Sequence, residues 1–491
     1  MRLTEIMDGG LRPRRTAPSA GDPEIVGLTS DSRSVKPGYL FAALPGARES
    51  GRRYLDDALA RGAAAILTDT APLDRPVAVP VIADQNPRRR LARMASRFYA
   101  PQPATIAAVT GTNGKTSVAV FTRQIWAAQG LKAASLGTIG VVAPGITRPG
   151  ALTTPDPIEL HRILNELVQA GIEHVALEAS SHGLHQFRLD GVALAAAAFT
   201  NLTRDHLDYH RDMAHYFAAK RRLFAELLPA SGTAVVNLDD DYGRVLVDTA
   251  RGRGQRLVTY GTAADAELRL IAAAPTAHGL AVEIAVGQRP PHQLTLPLLG
   301  AFQAMNALAA VGLAIATGTL PEAALAALPR LEGVPGRMEL AAIHPSGAPL
   351  IVDYAHTPDA LETALKALRP HAAKRLVVVF GCGGDRDAGK RPQMGAIAAR
   401  LADVVIVTDD NPRSEDAAAI RSAVLAACPD GREIGDRRAA IRAAAKLIEA
   451  GDLLLIAGKG HETGQIVGPR TLPFDDRIEA RAAVAALGGA V

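Results

Sequence analysis

The stretch Ile106-Ala-Ala-Val-Thr-Gly-Thr-Asn-Gly-Lys-Thr-Ser117 holds residue types that grip phosphate. The apolar run Ile106 to Val109 predicts a buried strand, the chain turns through Gly111 and Gly114, and Lys115-Thr116 opens an amphipathic helix through Trp126. Small residues there let backbone N–H groups face an anion, and the helix N-terminus adds the positive end of its dipole. Lys115 would reach the terminal phosphates, and the Thr116 hydroxyl would ligate Mg²⁺. The common eight-residue phosphate loop has Gly where this chain has Val109, so the loop is a variant form. Strand, loop and helix in this register predict a nucleoside triphosphate site rather than an ordinary Gly-rich turn.

Two further polar clusters follow predicted strands. Val175-Ala-Leu177 ends in Glu178-Ala-Ser-Ser-His182, and Ala195 to Phe199 ends in Thr200-Asn-Leu-Thr-Arg-Asp-His-Leu-Asp-Tyr-His210. Ligands of open α/β sheets sit beyond the carboxyl ends of strands, so both clusters should converge on the phosphate loop. Glu178 and His206 could hold a metal through oxygen and imidazole. By itself His206 also reads as a hydrogen-bonded structural histidine, and Lys220, in Ala-Ala-Lys-Arg-Arg, as a basic helix face.

Four more clusters lie in the last third: Asp353-Tyr-Ala-His356, Gly381-Cys-Gly-Gly-Asp-Arg386, Thr408-Asp-Asp-Asn-Pro-Arg413 and Gly458-Lys-Gly-His-Glu462. Asp410, Asn411 and Arg413 combine carboxylate, amide and guanidinium, the mixed-sign set that an amino acid with ammonium and carboxylate ends requires. The same residues also satisfy an Asx turn closed by Pro412. Glu462 could bind an ammonium or cap a helix.

The elements that must position these clusters alternate strand and helix. Leu40–Leu44, Ala63–Leu67 and Val77–Ile82 read as strands, with helices over Tyr54–Arg61 and from Asn86 onward. Pro101-Gln-Pro103 reads as a linker, as does Arg330 to Gly336 after the Ala-rich helix that runs from Ala301 to Ile315. A third unit has strands at Leu350–Val352, Leu376–Phe380, Val404–Val407 and Leu453–Ile456. Ser30-Asp-Ser-Arg33 is a turn cluster whose hydroxyls could meet a phosphate or uridine.

A chain of 491 residues exceeds a single core and suits two to four domains. The net charge is +4; residues 1–100 hold 16 basic and 11 acidic side chains, which suits an anionic ligand or a solvated Arg-rich surface. Two cysteines, Cys382 and Cys428, make no disulfide framework. No apolar run reaches bilayer-spanning length and the start has no signal-peptide pattern, so a cytoplasmic protein is expected.

Taken together these residues resemble the Mur ligase family over essentially the whole chain. Gly111-Thr-Asn-Gly-Lys-Thr116, Glu178 to His182, Thr200-Asn-Leu with Asp205-His-Leu-Asp208, and Asp353-Tyr-Ala-His-Thr-Pro358 stand in family order. Asp410 to Arg413 with Gly458 to Glu462 is similar to the branch that adds 2,6-diaminopimelate. The resemblance implies an α/β chain of three domains: a small UDP-sugar domain over 1–102, a central ATP-binding phosphate-loop domain with a mainly parallel sheet over 103–334, and a Rossmann-like amino-acid domain over 335–491. It implies ATP-driven amide formation in peptidoglycan synthesis, with Mg²⁺, by a cytoplasmic monomer that neither binds nucleic acid nor inserts in a membrane. The small-molecule partners would be UDP-N-acetylmuramoyl-L-alanyl-D-glutamate and meso-diaminopimelate.

Carried over by position, Gly111, Thr112, Asn113, Gly114, Lys115, Thr116 and Ser117 would contact ATP, with Asn306, Arg337 and Asp353. Thr116, Glu178 and His206 would be metal ligands, Lys115, Lys220 and His206 catalytic, and Lys220 carbamylated. Ser30, Ser32, Thr153, Thr154, Ser180, Gln186 and Arg188 match the muramoyl-dipeptide site; Arg386, Asp410, Asn411, Pro412, Arg413, Gly458 and Glu462 match the diaminopimelate site. The chain departs from the family pattern at Arg211, often Gly, and at Ala47-Arg48-Glu49, often His-Gln-Ala.

The implied chemistry activates the D-glutamate γ-carboxylate as an acyl phosphate, which the amine then attacks. Relatives adding lysine or extending folate with glutamate are alternatives within the family, and Arg413 argues against lysine because lysine lacks the second carboxylate. A nucleotide-dependent switch is an alternative of another class, which three separate polar crevices do not favour.

Overall fold

The computed structural model describes residues 1–7, 21–46, 49–69, 73, 77–203, 205–206, 209–276 and 279–488. Ala47, Arg48, Arg204, Leu207 and Asp208, singled out above, lie outside them. The chain forms two compact α/β units, Met1–Tyr260 with Ala309–Leu320 and Gly261–Leu308 with Pro321–Val491.

The first unit opens with a four-stranded parallel sheet in the order Gly27–Thr29, Tyr39–Ala43, Ala65–Thr68, Val81–Ala83. Helix Pro87–Phe98 follows, capped by Asn86, whose side chain accepts from Arg89 N, with Pro at the start where no N–H is needed. The helix expected over Tyr54–Arg61 is a 3₁₀ turn, Gly51–Tyr54, continued by an α-helix over Leu55–Ala60.

The larger sheet of this unit places Thr105–Thr110 between His174–Glu178 and Leu194–Phe199, both parallel to it. Thr233–Asn237 and Arg256–Gly261 extend one side; Ala133–Gly137 extends the other and continues into antiparallel strands Gly140–Ala143 and Ile146–Arg148. Ile106 to Val109 are at most 1% exposed, as expected of a central parallel strand covered on both faces. The carboxyl ends of three adjacent strands therefore deliver Gly111, Glu178 and Thr200 to one edge.

The second unit contains three antiparallel strands, Leu268–Thr276, Gly279–Val286 and His292–Leu296, which the sequence reading missed. Its six-stranded sheet runs Glu339–Ile343, Pro349–Asp353, Leu453–Ala457, Leu376–Phe380, Val404–Val407, Arg432–Glu433, all parallel except the first. Ile351, Val378, Val405 and Leu455 enter one core with helices Pro358–Leu368, Lys390–Leu401 and Ala417–Leu425. Their neighbours Leu350, Val377, Ile406 and Leu454 enter the other with Arg437–Leu447 and Asp476–Ala485. This alternation of period two makes a doubly wound sheet. The strand latest in sequence within this sheet, Leu453–Ala457, inserts between two earlier ones, so the polar clusters after Asp353, Phe380, Val407 and Ala457 share one edge.

Candidate active site

The phosphate loop is held from outside. Thr112 N donates to Asn201 O at 2.8 Å, Asn113 N to Asn201 Oδ1 at 3.0 Å, and Thr200 Oγ1 to Asn113 O at 2.6 Å. Gly111 has φ 151°, and a Cβ there would lie 1.8 Å from Thr200 Oγ1. Gly114, φ 87°, caps helix Lys115–Ala128 in the left-handed region that glycine adopts without strain. Lys115 Nζ folds back onto Gly111 O at 3.0 Å and Thr112 O at 2.8 Å.

A second ammonium shares the same carbonyl: Lys220 Nζ donates to Gly111 O at 2.6 Å. Lys220 is 1% exposed, so the expectation of a merely basic helix face fails for it. Burial first, and Lys115 second, push its amine well below the ordinary lysine range. Its Nζ lies 4.4 Å from the centre of the Tyr216 ring, whose hydroxyl pairs with Thr112 Oγ1 at 3.2 Å. Burial pushes that phenol up to about 12.

From the loop a hydrogen-bonded run leads to the residues matched to the dipeptide. Thr116 Oγ1 donates to Glu178 Oε2 at 3.0 Å; Thr138 donates to the same carboxylate from N at 2.7 Å and from Oγ1 at 3.2 Å; Thr138 Oγ1 meets Thr153 Oγ1 at 3.0 Å. Glu178 is 1% exposed, and a Cβ on Gly137 would lie 2.0 Å from its Oε1, so glycine makes room for it. Thr154 Oγ1 donates to Glu178 O at 2.8 Å and pairs with Ser180 Oγ at 3.0 Å. Arg188 Nη1 donates to Thr154 O at 2.6 Å and Nη2 to Gln186 Oε1 at 2.8 Å. Thr153, Thr154, Ser180, Gln186 and Arg188 are thus one group. Ser32, in the 3₁₀ turn Ser32–Ser34, bonds Asp57 of helix Leu55–Ala60, away from this group.

Thr116 and Glu178 supply hard oxygen donors of the kind Mg²⁺ takes, so this part of the donor set fits the ion. The contacts of His206 run instead to Asp205 at 3.5 Å and to the rings of His182 and Tyr216, at 5.0 and 6.0 Å. Among the described residues no group of three or more His, Cys, Asp or Glu is spaced to hold a metal. Sequence reasoning missed Thr138 and Tyr216, and gave no separate role to Tyr209, whose hydroxyl accepts from Gln186 Nε2 at 3.0 Å and whose ring stacks 3.9 Å from His182. It gave none to His210 either, which burial pushes down to about 4, with His182 next in effect.

In the second unit, Asn306 donates to Gln303 Oε1 at 2.8 Å, and the Arg337 guanidinium lies 4.8 Å from the Tyr354 ring centre. Asp353 accepts from Met338 N at 2.7 Å and Ala355 N at 2.8 Å, while burial pushes its carboxyl up. Asp410, 6% exposed, is also pushed up by burial. Gly458, φ 121°, would place a Cβ 2.5 Å from Asp410 Oδ2. Arg413, φ 53°, pairs its backbone with the hairpin Gly464–Val467/Arg470–Pro473 through Ile466 O at 3.1 Å and Gly468 N at 2.7 Å, and its Nη1 donates to Gly384 O at 2.7 Å. The carbonyl of Pro412 leaves no space for a side chain at Gly384, where a Cβ would lie 1.9 Å away. Arg386, on the same loop, is exposed. Asp410, Asn411, Arg413, Gly458 and Glu462 come together, joined by Lys459 and Arg437, which the sequence reading left without roles.

A phosphate loop on a parallel sheet, joined in one chain to a doubly wound unit with a mixed-sign crevice, defines an ATP-dependent ligase. Family models described as the Mur ligase catalytic, middle and glutamate ligase domains match residues 24–99, 109–314 and 336–460. The chain is 55% identical over 472 residues, 95% of this chain and 96% of the relative, to UDP-N-acetylmuramoyl-L-alanyl-D-glutamate--2,6-diaminopimelate ligase of Bradyrhizobium diazoefficiens. A solved structure of a ligase of that name superposes with TM-score 0.76 at 35% identity over 100% of both chains. The MurF ligase of Thermotoga maritima, solved with ADP, shares the fold at TM-score 0.59 and 17% identity, covering 94% of this chain and 96% of its own. The chain belongs to the Mur ligase family, whose members use ATP to form amide bonds.

Proposed function

We propose that this chain adds meso-2,6-diaminopimelate to the D-glutamate γ-carboxylate of UDP-N-acetylmuramoyl-L-alanyl-D-glutamate, with ATP cleaved to ADP and phosphate, in peptidoglycan synthesis. The observation that carries the reading is the run Thr116–Glu178–Thr138–Thr153, which joins the phosphate loop to the Thr154, Ser180 and Arg188 group. A carboxylate held beside that group would lie next to the phosphate being transferred. The relatives' near full-length match supports the choice of substrates. We take 1–102, 103–334 and 335–491 as the three functional segments.

A carboxylate is a poor acyl donor at neutral pH, so it must first be phosphorylated. The carboxylate oxygen attacks the γ-phosphorus and ADP leaves; the diaminopimelate amine then attacks the acyl carbon and phosphate leaves. Lys115 and the N–H groups at the start of helix Lys115–Ala128 neutralise phosphate charge and orient it. Thr116 and Glu178 would hold Mg²⁺, which when bound supplies further neutralisation of the phosphates.

Lys220 is prepared for carbamylation. Burial beside Lys115 favours its neutral amine, the form that adds to carbon dioxide. The neutral amine forms an N–C bond to carbon dioxide, one proton leaves to solvent, and the uncharged side chain becomes a carbamate anion near the phosphate loop. In the second unit, Asp410 and Glu462, the latter held by the Asn411 amide, would take the ammonium end of diaminopimelate, and Arg413 with Arg386 its carboxylates. The protein acts in the cytoplasm as a monomer in this reading.

Hydroxylamine tests the order of steps. With ATP, Mg²⁺ and UDP-muramoyl-dipeptide but no diaminopimelate, the acyl phosphate should be captured as a hydroxamate. Phosphate release without hydroxamate would contradict the mechanism.

A further inference from the structure

Lys459 lies between Gly458 and Glu462, and its side chain is fully buried. Burying a lysine costs both rotamer freedom and hydration, and it persists only where the ammonium is paired. Its Nζ donates to Asn411 Oδ1 at 2.9 Å and to Glu462 Oε2 at 3.0 Å, and stands 3.9 Å from Asp410 Oδ1. Three residues matched to the diaminopimelate site therefore meet on one buried cation.

These bonds determine what the three residues can offer a ligand. Asn411 Oδ1 also accepts from Ile466 N at 2.9 Å, so its amide oxygen faces two donors and its Nδ2 is turned onto Glu462 Oε2 at 2.9 Å. Glu462 Oε2 is then occupied twice, while Oε1 has no partner among the described residues and the side chain is one-third exposed. Behind them Arg437 and Asp476 form a pair with neither side chain exposed, and Arg437 Nη2 donates to Ala457 O at 2.9 Å.

We infer that Lys459 is a positioning residue of the amino-acid site: it locks the Asn411 amide and pins one oxygen of Glu462, so that the other oxygen is presented to the ammonium of the incoming amino acid. This rests on the reading of the crevice given above. The role is distinguishable from simple electrostatics. Removing a cation makes the crevice more negative, which would by itself attract an ammonium more strongly. Loss of positioning does the opposite.

The test is steady-state kinetics of Lys459→Met and Lys459→Gln in the full chain, varying ATP, UDP-muramoyl-dipeptide and diaminopimelate in turn. Losing a charge-assisted hydrogen bond that orients the ligand's partner should raise the diaminopimelate KM by about 10- to 100-fold in Lys459→Met. The rise should be smaller in Lys459→Gln, which keeps one donor, with the other two KM values and the melting temperature little changed. A diaminopimelate KM that is unchanged or lowered overturns the inference, as does a parallel rise of all three KM values. Lys459→Gln is read by the same criteria if Lys459→Met does not fold. If the wild-type chain itself releases no phosphate in response to diaminopimelate, the reading of the crevice falls and this inference with it.

Discussion

Asp190 is the place where a single charge removal should propagate furthest. Its carboxylate, 2% exposed, accepts from Arg222 Nη2 with both oxygens at 2.7 Å and from Arg89 Nε at 2.9 Å. Arg89 sits on helix Pro87–Phe98 beside the first sheet, and Arg222 on the helix that carries Lys220. Nearby, Ser96 Oγ donates to Gly191 O at 2.8 Å, so one short segment ties the first sheet's helix to the phosphate-loop sheet. Asp190→Asn keeps the shape and deletes the charge. It leaves the Arg222 guanidinium, 8% exposed, facing an amide. Removing one partner of a buried pair costs about 3–5 kcal/mol. The Arg89 arm, 38% exposed, adds no more than about 1 kcal/mol. Arg222 retains Leu184 O and Glu226, both at 3.0 Å, which places the expected loss near the lower bound, about 3 kcal/mol. Urea denaturation should show that loss as a lowered midpoint with unchanged slope. Because Arg188 stands two residues away, the KM for UDP-muramoyl-dipeptide should rise as well. A loss under about 1 kcal/mol with an unchanged KM would refute the assignment of Asp190 as a tie.

Other consequences are open to test. His161 is fully buried, bonds Asp190 O through Nε2 at 3.2 Å, and is pushed down to about 4 by burial. The unfolded chain therefore binds this proton first: the contribution is intact above the free value of about 6.5 and is lost as pH falls toward 4, about 2 kcal/mol of it between pH 8 and 5. A pH series of denaturation curves on wild type and His161→Leu should show a slope steeper in the former by that amount, since His210 contributes to both; parallel curves would exclude it. Gly111→Ala puts a Cβ 1.8 Å from Thr200 Oγ1 and should weaken ATP binding about tenfold or more in calorimetry, whereas an unchanged Kd would exclude the loop. Arg413→Ala should raise the diaminopimelate KM by about tenfold or more through loss of a charged hydrogen bond, leaving the ATP KM as it was; equal effects on both would deny Arg413 a role in amino-acid recognition.

How far the sequence reached depended on whether a residue's role is local. The phosphate loop was legible because Gly111, Gly114, Lys115 and Thr116 are consecutive on a strand–loop–helix unit. The strands Leu376–Phe380 and Val404–Val407 were legible as continuous apolar runs. Leu268–Thr276 was not, because its Ala-rich second half carries no apolar alternation, whereas Gly279–Val286 does alternate, with Leu280, Val282, Ile284 and Val286 buried, and was overlooked. Lys220 and Arg222 sit in a run whose bland reading is a solvated face, yet both point inward while Arg221 is exposed. What marks them is the Gly111 carbonyl and the Asp190 carboxylate, far away in sequence. Thr138, Gly137 and Lys459 escaped assignment for the same reason: each acts through a side chain delivered by another strand.

The central claim is the coupling of three ligands in one reaction. Purified protein with ATP, Mg²⁺ and UDP-muramoyl-dipeptide should release phosphate in proportion to added meso-diaminopimelate and yield the corresponding tripeptide product, with lysine a poor substitute. Release driven equally well by lysine, or release that ignores both dipeptide and amino acid, would contradict the account.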